Sequence, residues 1–295
     1  MSQTPLYLID ASIYVFRAYY SIPANFFDPN GNLVNAVYGY TSFLLDFIES
    51  KKPALVSVAF DESLTTCYRN DIYPAYKANR ELPDPNLKFQ FSQCQEITRL
   101  LGFHSLCLKH YEADDIIGTL AKLLAKTSPV VIISRDKDLG QLLKPGDVMW
   151  DFAADQYTDP AGVFDKFGVS CEQIADFLAL AGDTVDNIPG APGIGAKTAA
   201  RLLSHFHSLE NLLNNLARIP DTKIRGAVRL QATLTEHGDK LRLYRRITGI
   251  KCDVPMEVQQ DDVHPGRVDE SAISKFCQNM GFGNRMQQRI LGVVA

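Results

Sequence analysis

The stretch "VVIISRDKDLGQLL", residues 130–143, decides how this chain folds. It opens on four β-branched residues without a break, which suits a strand buried on both faces of a parallel sheet. A half-exposed strand would alternate apolar with polar residues. Asp136 and Asp138 follow at once, so the strand gives way to a polar turn at its carboxyl end. Two other runs repeat the design, "LYLID" (Leu6–Asp10) and "LVSVAFD" (residues 55–61). Helical periodicity fills the intervals at 37–50, 89–101 and 113–125. Strand and helix in alternation predict an α/β core, with a mostly parallel central sheet flanked by helices and right-handed crossovers. From about residue 163 the pattern turns helical ("VFDKFG", "CEQIADFLALAG", "AKTAARLLSHF", "LENLLNNLA"), with Gly- and Pro-bearing turns between. The expected division is a core over 1–165 and a mainly helical region over 166–295.

Each of the three strands ends in an aspartate: Asp10, Asp61 and Asp136. Ligands of open α/β sheets bind at the carboxyl ends of the strands. One aspartate there is ordinary turn chemistry, but three of three suggest a shared edge. The helix preceding the third strand begins "HYEADDIIGTLAKLL" and adds Glu112, Asp114 and Asp115. Its dipole favours acids in a first turn, which accounts for them without any site. "AGDTVDNIPG" adds Asp183 and Asp186, on one face if the turn is helical. With Asp138 the set is nine carboxylates. Two such charges 4 Å apart repel by about 4 kcal/mol at an effective dielectric of 20, against a total stability of roughly 5–15 kcal/mol. Either the acids cap separate helices and never meet, or cations join them. Oxygen ligands without His or Cys select Mg²⁺, with Mn²⁺ able to substitute. Two such ions would hold the attacking and leaving oxygens of a phosphoryl displacement.

The bulk properties allow this. At 295 residues the chain can bury a substantial core, and 46% hydrophobic with 22% charged residues is ordinary for a globular protein. Six well-separated cysteines with no C-x-x-C pair argue against a zinc site or a dense disulfide framework. The start "MSQTPLYLIDAS" lacks a basic segment and an apolar run, and no stretch is long enough to span a bilayer. The expected location is cytoplasmic, with no membrane association. Net charge is −4, yet residues 196–251 hold eleven Lys and Arg against four acids. Such a basic span inside an acidic chain suits either a polyanion surface or a solvated helical face.

Two further segments bear on that choice. "NIPGAPGIGAKTAARLL" is neither a P-loop, because Ala196 precedes Lys197, nor a dinucleotide fingerprint, because Thr198 replaces the third glycine. Helix, tight turn, helix fits instead. Its backbone amides would cradle a phosphate, with Lys197 and Arg201 one turn apart beside it. Glycines that simply separate two helices are the plainer alternative. After Asp61, Tyr68, Arg69, Tyr73, Tyr76, Lys77 and Arg80 interleave rings and cations, a combination suited to single-stranded nucleic acid. The length of this insert, about 62–92, suggests a lid over the sheet edge; an ordinary surface excursion is the other possibility.

Taken together, "DASIYVFRAYYSIP", "VAFD", "YPAYKANR", "YEADDIIGTLA", "SRDKDLGQLL" and "FLALAGDTVDNIPGAPGIGAKTAARLL" resemble the FEN-type 5′ nuclease family. The similarity is greatest to the 5′→3′ exonuclease domain of bacterial DNA polymerase I. It runs from residue 6 to about 207, and more faintly to about 255. It implies a PIN-like nuclease core with a helical arch insert, and a helix–three-turn–helix motif at about 172–206. It further implies that Asp10, Asp61, Glu112, Asp114, Asp115, Asp136, Asp138, Asp183 and Asp186 form a divalent-metal centre. Arg17, Lys77 and Arg80 would contact the phosphates near the scissile bond. Tyr76, with Arg69, would belong to the DNA-contacting arch. Gly190, Gly193 and Gly195 would hold duplex DNA, with K⁺ at the same turn in some members. The expected activity is 5′→3′ exonuclease and flap endonuclease, in a monomer that works with replication or repair proteins. The 295 residues leave no room for a polymerase, so a stand-alone nuclease or an excised domain is implied. A non-catalytic branched-DNA binder and a PIN-type ribonuclease are the rival readings.

Overall fold

The computed structural model describes residues 4–63, 66–80, 84–125 and 128–294. In chain order run β1 (Leu6–Asp10), α1 (Ala11–Ser21), α2 (Asn35–Lys51), β2 (Leu55–Phe60), α3 (Tyr68–Ile72), α4 (Pro85–Leu100) and β3 (His104–Cys107). Then come α5 (Ala113–Leu124), β4 (Val130–Ile133), β5 (Val148–Asp151), β6 (Gln156–Thr158), α6 (Pro160–Phe167), α7 (Ile174–Ala181) and α8 (Ala196–Phe206). The chain closes with α9 (Leu209–Asn214), α10 (Ala227–Thr248), α11 (Glu270–Asn279) and α12 (Asn284–Val294). None of the described helices is long and apolar enough to cross a membrane.

Two compact units divide the chain. The first comprises Met1–Leu64, Leu82–Ser134 and Cys252–Ala295; the second comprises Thr65–Glu81 and Arg135–Lys251. This grouping cuts the chain elsewhere than the expected boundary near residue 165. Packing gathers segments distant in sequence, whereas that boundary followed only the change of pattern along the chain.

In the first unit four parallel strands lie in the order β3-β2-β1-β4. β1 is central, and Leu6, Leu8, Ile9 and Asp10 are buried, as are all six residues of β2. Their unbroken apolar runs reflect cover on both faces. The register sets Asp10 opposite Ala59 on one side and Ile9 opposite Ile133 on the other. Asp10, Asp61 and Ser134 therefore all fall at the carboxyl edge of the sheet. Residues 252–295 return to this unit. Val254 N–H donates to Thr119 Oγ1 (3.1 Å), Gly266 N–H to the Gly102 carbonyl (2.8 Å), and Arg289 grips Asp46 (2.5 Å) and Glu49 (2.8 Å) on α2.

In the second unit β5 and β6 form an antiparallel hairpin. Helices α6 to α10 follow. The insert enters this unit as α3 and a run of turns over 74–79. The helical arch expected around Tyr76 is thus not helical there; residues 64–65 and 81–83 of the insert lie outside the described residues. The cause is local. Pro74 lacks an N–H, and the carbonyls of Ala75 and Tyr76 are taken by the side-chain amides of Asn187 (2.7 Å) and Asn70 (2.8 Å).

Candidate functional site

In the first unit the carboxylates gather where β1 and β2 end and α5 begins. Asp10 is the N-cap residue of α1, yet its side chain makes no capping hydrogen bond. Instead its Oδ2 accepts from the Ser134 hydroxyl at 2.9 Å, one residue past the Ile9–Ile133 pair. Asp61 Oδ1 accepts from the Ala113 N–H at 2.8 Å, so it caps α5 from across the sheet edge. The Ser12 hydroxyl in turn accepts from the Asp61 N–H at 3.1 Å. Asp115 is fully buried and accepts from the Glu112 N–H at 3.3 Å. Glu112 is buried too, and Asp114 half-buried. These acids belong to the cap of α5 and to one edge at the same time. The helix start provides unsatisfied N–H groups and a positive dipole end, which lessens the cost of their company. Arg17 is exposed on α1.

In the second unit the four remaining acids lie on two turns. Asp136 Oδ1 caps the 3₁₀ turn Lys137–Leu142 by accepting from the Asp138 N–H (3.0 Å). Lys137 Nζ lies 2.5 Å from Asp183 Oδ2 and 3.4 Å from Asp138 Oδ1. Burial lowers the proton affinity of Lys137, but Asp138, Asp183 and Asp136 more than reverse this, so its net shift is upward. Asp138 is pushed up to about 7, first by burial and then by the charge of Asp136, with Lys137 opposing.

Asp186 faces the insert. It accepts from Arg80 Nη2 at 2.9 Å and from the Tyr76 hydroxyl at 3.1 Å, and Lys77 Nζ stands 3.9 Å away. The Lys77 N–H meets the Asp186 carbonyl (3.1 Å) and Asn79 meets the Thr184 carbonyl (3.0 Å), which fastens the two turns together. Lys77 holds a φ of +54°, a costly conformation for a side chain of its size. Tyr76 and Arg69 are buried, at 4% and 3% exposure. Arg69 donates to the carbonyls of Ile247 (2.9 Å) and Gly249 (3.1 Å) at the end of α10, so it anchors the insert from within.

The glycine-rich connection joins α7 to α8. Gly190 has a φ of +70°, and a Cβ there would sit 2.4 Å from the Gly182 nitrogen, so two backbones touch. Gly193, at φ +75°, is glycine for conformation alone. Gly195 is the N-cap of α8, with φ −92° and open space where a Cβ would go. Lys197 and Arg201 are exposed on α8.

Among the described residues no three His, Cys, Asp or Glu side chains are arranged as a ready-made metal cluster. The donor chemistry nevertheless fits a hard cation. All nine side chains offer carboxylate oxygens, and Asp138 Oδ1 is buried without accepting a hydrogen bond. Sequence reasoning gave no part to Ser12, Ser134 or Lys137. Their only signal was proximity to acids in "DAS" and "SRDKD", although Ser12 meets Asp61 and Ser134 meets Asp10, both far away in sequence.

The chain matches the 5′-3′ exonuclease, N-terminal resolvase-like domain over residues 5–168 and the 5′-3′ exonuclease, C-terminal SAM fold over residues 169–271. It is 30% identical over 284 residues to a 5′-3′ exonuclease of Buchnera aphidicola, with 96% of each chain covered. It is 38% identical over 286 residues to DNA polymerase I of Pseudomonas aeruginosa, covering 96% of this chain and 31% of the polymerase. It thus spans about a third of the length of its polymerase relatives. The T5 D15 protein co-crystallised with metal ions shares the fold, with a TM-score of 0.70 at 19% identity over 99% of this chain and 100% of that one. So does the catalytic core of Rad2 in complex with DNA substrate, with a TM-score of 0.66 at 13% identity over 99% and 93%. These matches place the chain among the nucleases. It belongs to the 5′-3′ exonuclease family, in both the N-terminal and the C-terminal parts.

Proposed function

We propose that this chain is a divalent-metal-dependent, structure-selective 5′ nuclease that hydrolyses DNA phosphodiesters at 5′ ends and 5′ flaps. The observation that carries the proposal is the docking of the insert's cations, Lys77 and Arg80, on the Asp186 turn of a nuclease-family chain that retains all nine acids. Cations that reach a carboxylate can equally reach a phosphate oxygen, which also offers anionic acceptors.

The nine carboxylates are the ligands proposed for Mg²⁺ or Mn²⁺. Bound there, the ions supply Lewis-acid stabilisation of the negative charge that builds on the phosphate during in-line attack by water. Ser134 and the Ala113 N–H hold Asp10 and Asp61 in fixed directions, so the first unit offers oriented oxygens. Lys77 and Arg80 steady the non-bridging oxygens, and Arg17 contacts the neighbouring phosphate. Tyr76 and Arg69 support the insert from inside. The amides at Gly193 and Gly195, with Lys197 and Arg201, grip the duplex backbone without reading its bases. K⁺ is a candidate ligand of the same turn. Work in the cytoplasm as a monomer beside replication or repair proteins completes the proposal.

The test is a timed digestion of 5′-labelled DNA and RNA flaps, with product sizes read. Cleavage of the DNA flap in Mg²⁺ or Mn²⁺, none in EDTA, and a loss of roughly 10³-fold or more in Asp115→Ala and Asp136→Ala is expected, beyond that for one lost transition-state donor. DNA binding without turnover in either metal would leave a branched-DNA binder, and preference for the RNA flap a ribonuclease.

A further inference from the structure

Lys137 has no part in the scheme above, although it stands at the centre of the second unit's acids. Its Nζ lies 2.5 Å from Asp183 Oδ2 and 3.4 Å from Asp138 Oδ1. The lysine side chain is 34% exposed, whereas those of Asp183 and Asp138 are 4% and 15% exposed. The ammonium therefore reaches inward to buried oxygens from a partly open position. Asp183 Oδ1 is already engaged by the Val185 N–H (2.9 Å), which leaves Oδ2 as its cation-facing oxygen. Asp138 Oδ1 accepts no hydrogen bond and has the ion-pair contact with Lys137. These two oxygens are thus both held by one compact charge on a flexible stem, which can move aside without backbone change.

A divalent ion and an ammonium cannot occupy the same side of one carboxylate oxygen. We propose that Lys137 is a positioning residue of this site, a tethered cation that aligns Asp138 and Asp183 and competes with the divalent ion for their oxygens. The inference rests on the metal reading given above. Its consequence runs against intuition for a part-buried ion pair: losing the lysine weakens the protein but strengthens its grip on metal. Four carboxylates deprived of one counter-charge repel more strongly and attract a cation more strongly. A lysine with a merely structural role would lower stability with or without metal and leave affinity unchanged or weaker.

The experiment measures Mn²⁺ affinity by calorimetry on the whole chain, without DNA, alongside Tm in EDTA and in saturating Mg²⁺. Lys137→Met is expected to melt below the wild type in EDTA, to close that gap in Mg²⁺, and to bind Mn²⁺ about tenfold more tightly. Lys137→Arg keeps the charge and should remain within about twofold of wild-type affinity. Unchanged or weaker Mn²⁺ binding by Lys137→Met, or an equal Tm gap in both media, would overturn the proposal. If Lys137→Met does not fold, Lys137→Gln is read by the same criteria. A wild-type chain that takes up no Mn²⁺ would instead sink the metal reading itself.

Discussion

The two halves of the acid set meet different kinds of partner. In the first unit the Ser134 hydroxyl donates to Asp10 and the Ala113 N–H at the start of α5 donates to Asp61, both of them neutral donors. In the second, Asp183 and Asp138 meet Lys137, and Asp186 meets Arg80 and Lys77. A neutral donor orients a carboxylate and leaves its charge in place, whereas a cation orients and offsets it. The sheet edge can use neutral donors because strand ends and a helix N-terminus supply them from the backbone and from adjacent serines. The turns also use backbone N–H groups, from Asp138 to Asp136 and from Val185 to Asp183, and add side-chain cations to them. Ser134 and the start of α5 thus orient Asp10 and Asp61 from the fold itself, whereas Asp183 and Asp186 also meet cationic side chains that can exchange.

The largest expected effect comes from breaking the turn that carries Asp183 and Asp186. In Gly190→Ala the new Cβ would press on the Gly182 nitrogen and the Ala181 carbonyl carbon. Strain at positive φ together with overpacking should cost about 2–4 kcal/mol, seen as a lower denaturant midpoint and lost cleavage. Gly195→Ala, which meets nothing within 4 Å, is the control and should stay within about 0.5 kcal/mol of wild type. A smaller effect is expected in the first unit. Ser134→Ala removes the donor that aligns Asp10, and divalent-ion affinity measured by calorimetry should fall about tenfold with little change in Tm. Equal responses of Tm in Gly190→Ala and Ser134→Ala would erase the contrast drawn here.

The smallest effect sharpens the comparison through pH. Asp138 is held up to about 7 in the folded chain against an ordinary 3.8. The folded state then binds this proton more tightly than the unfolded state does. The resulting stabilisation is complete below about pH 4 and is lost as pH rises through about 7. In EDTA, Tm should fall between about pH 5 and 8, and Asp138→Asn should flatten that slope. Mg²⁺ should raise Tm more at the alkaline end, where no proton competes for Asp138. A slope unaltered in Asp138→Asn would place its origin elsewhere.

The parts of the fold that depend on local pattern were legible. β1, β2 and β4 announce themselves as unbroken apolar runs, and "AKTAARLLSHF" coincides with α8 (Ala196–Phe206). β3, "HSLC", is half-buried throughout and too short to carry a period, and the β5–β6 hairpin has only four and three residues. The return of residues 252–295 to the first unit rests on contacts such as Arg289 with Asp46, which no local pattern encodes. At the candidate site Asp10, Asp61 and Asp136 could be placed because chain position sends them to strand ends, and the acids of α5 because they open a helix. Their partners could not. Ser134 reaches Asp10 only because β4 pairs with β1 in one particular register, and Lys137 reaches Asp183 across 46 residues of sequence. Interleaved rings and cations marked Arg69 and Tyr76 in the sequence, but nothing there signalled that both are buried, with Arg69 bonded to the end of α10.

The most direct measurement is an anomalous difference map from a crystal of the chain soaked in Mn²⁺. Peaks are expected against the carboxylate oxygens of the nine acids, with the Lys137 ammonium displaced from Asp183. A map with no peak at any of those oxygens, from crystals whose dissolved protein still cuts a 5′-flap in Mn²⁺, would contradict it.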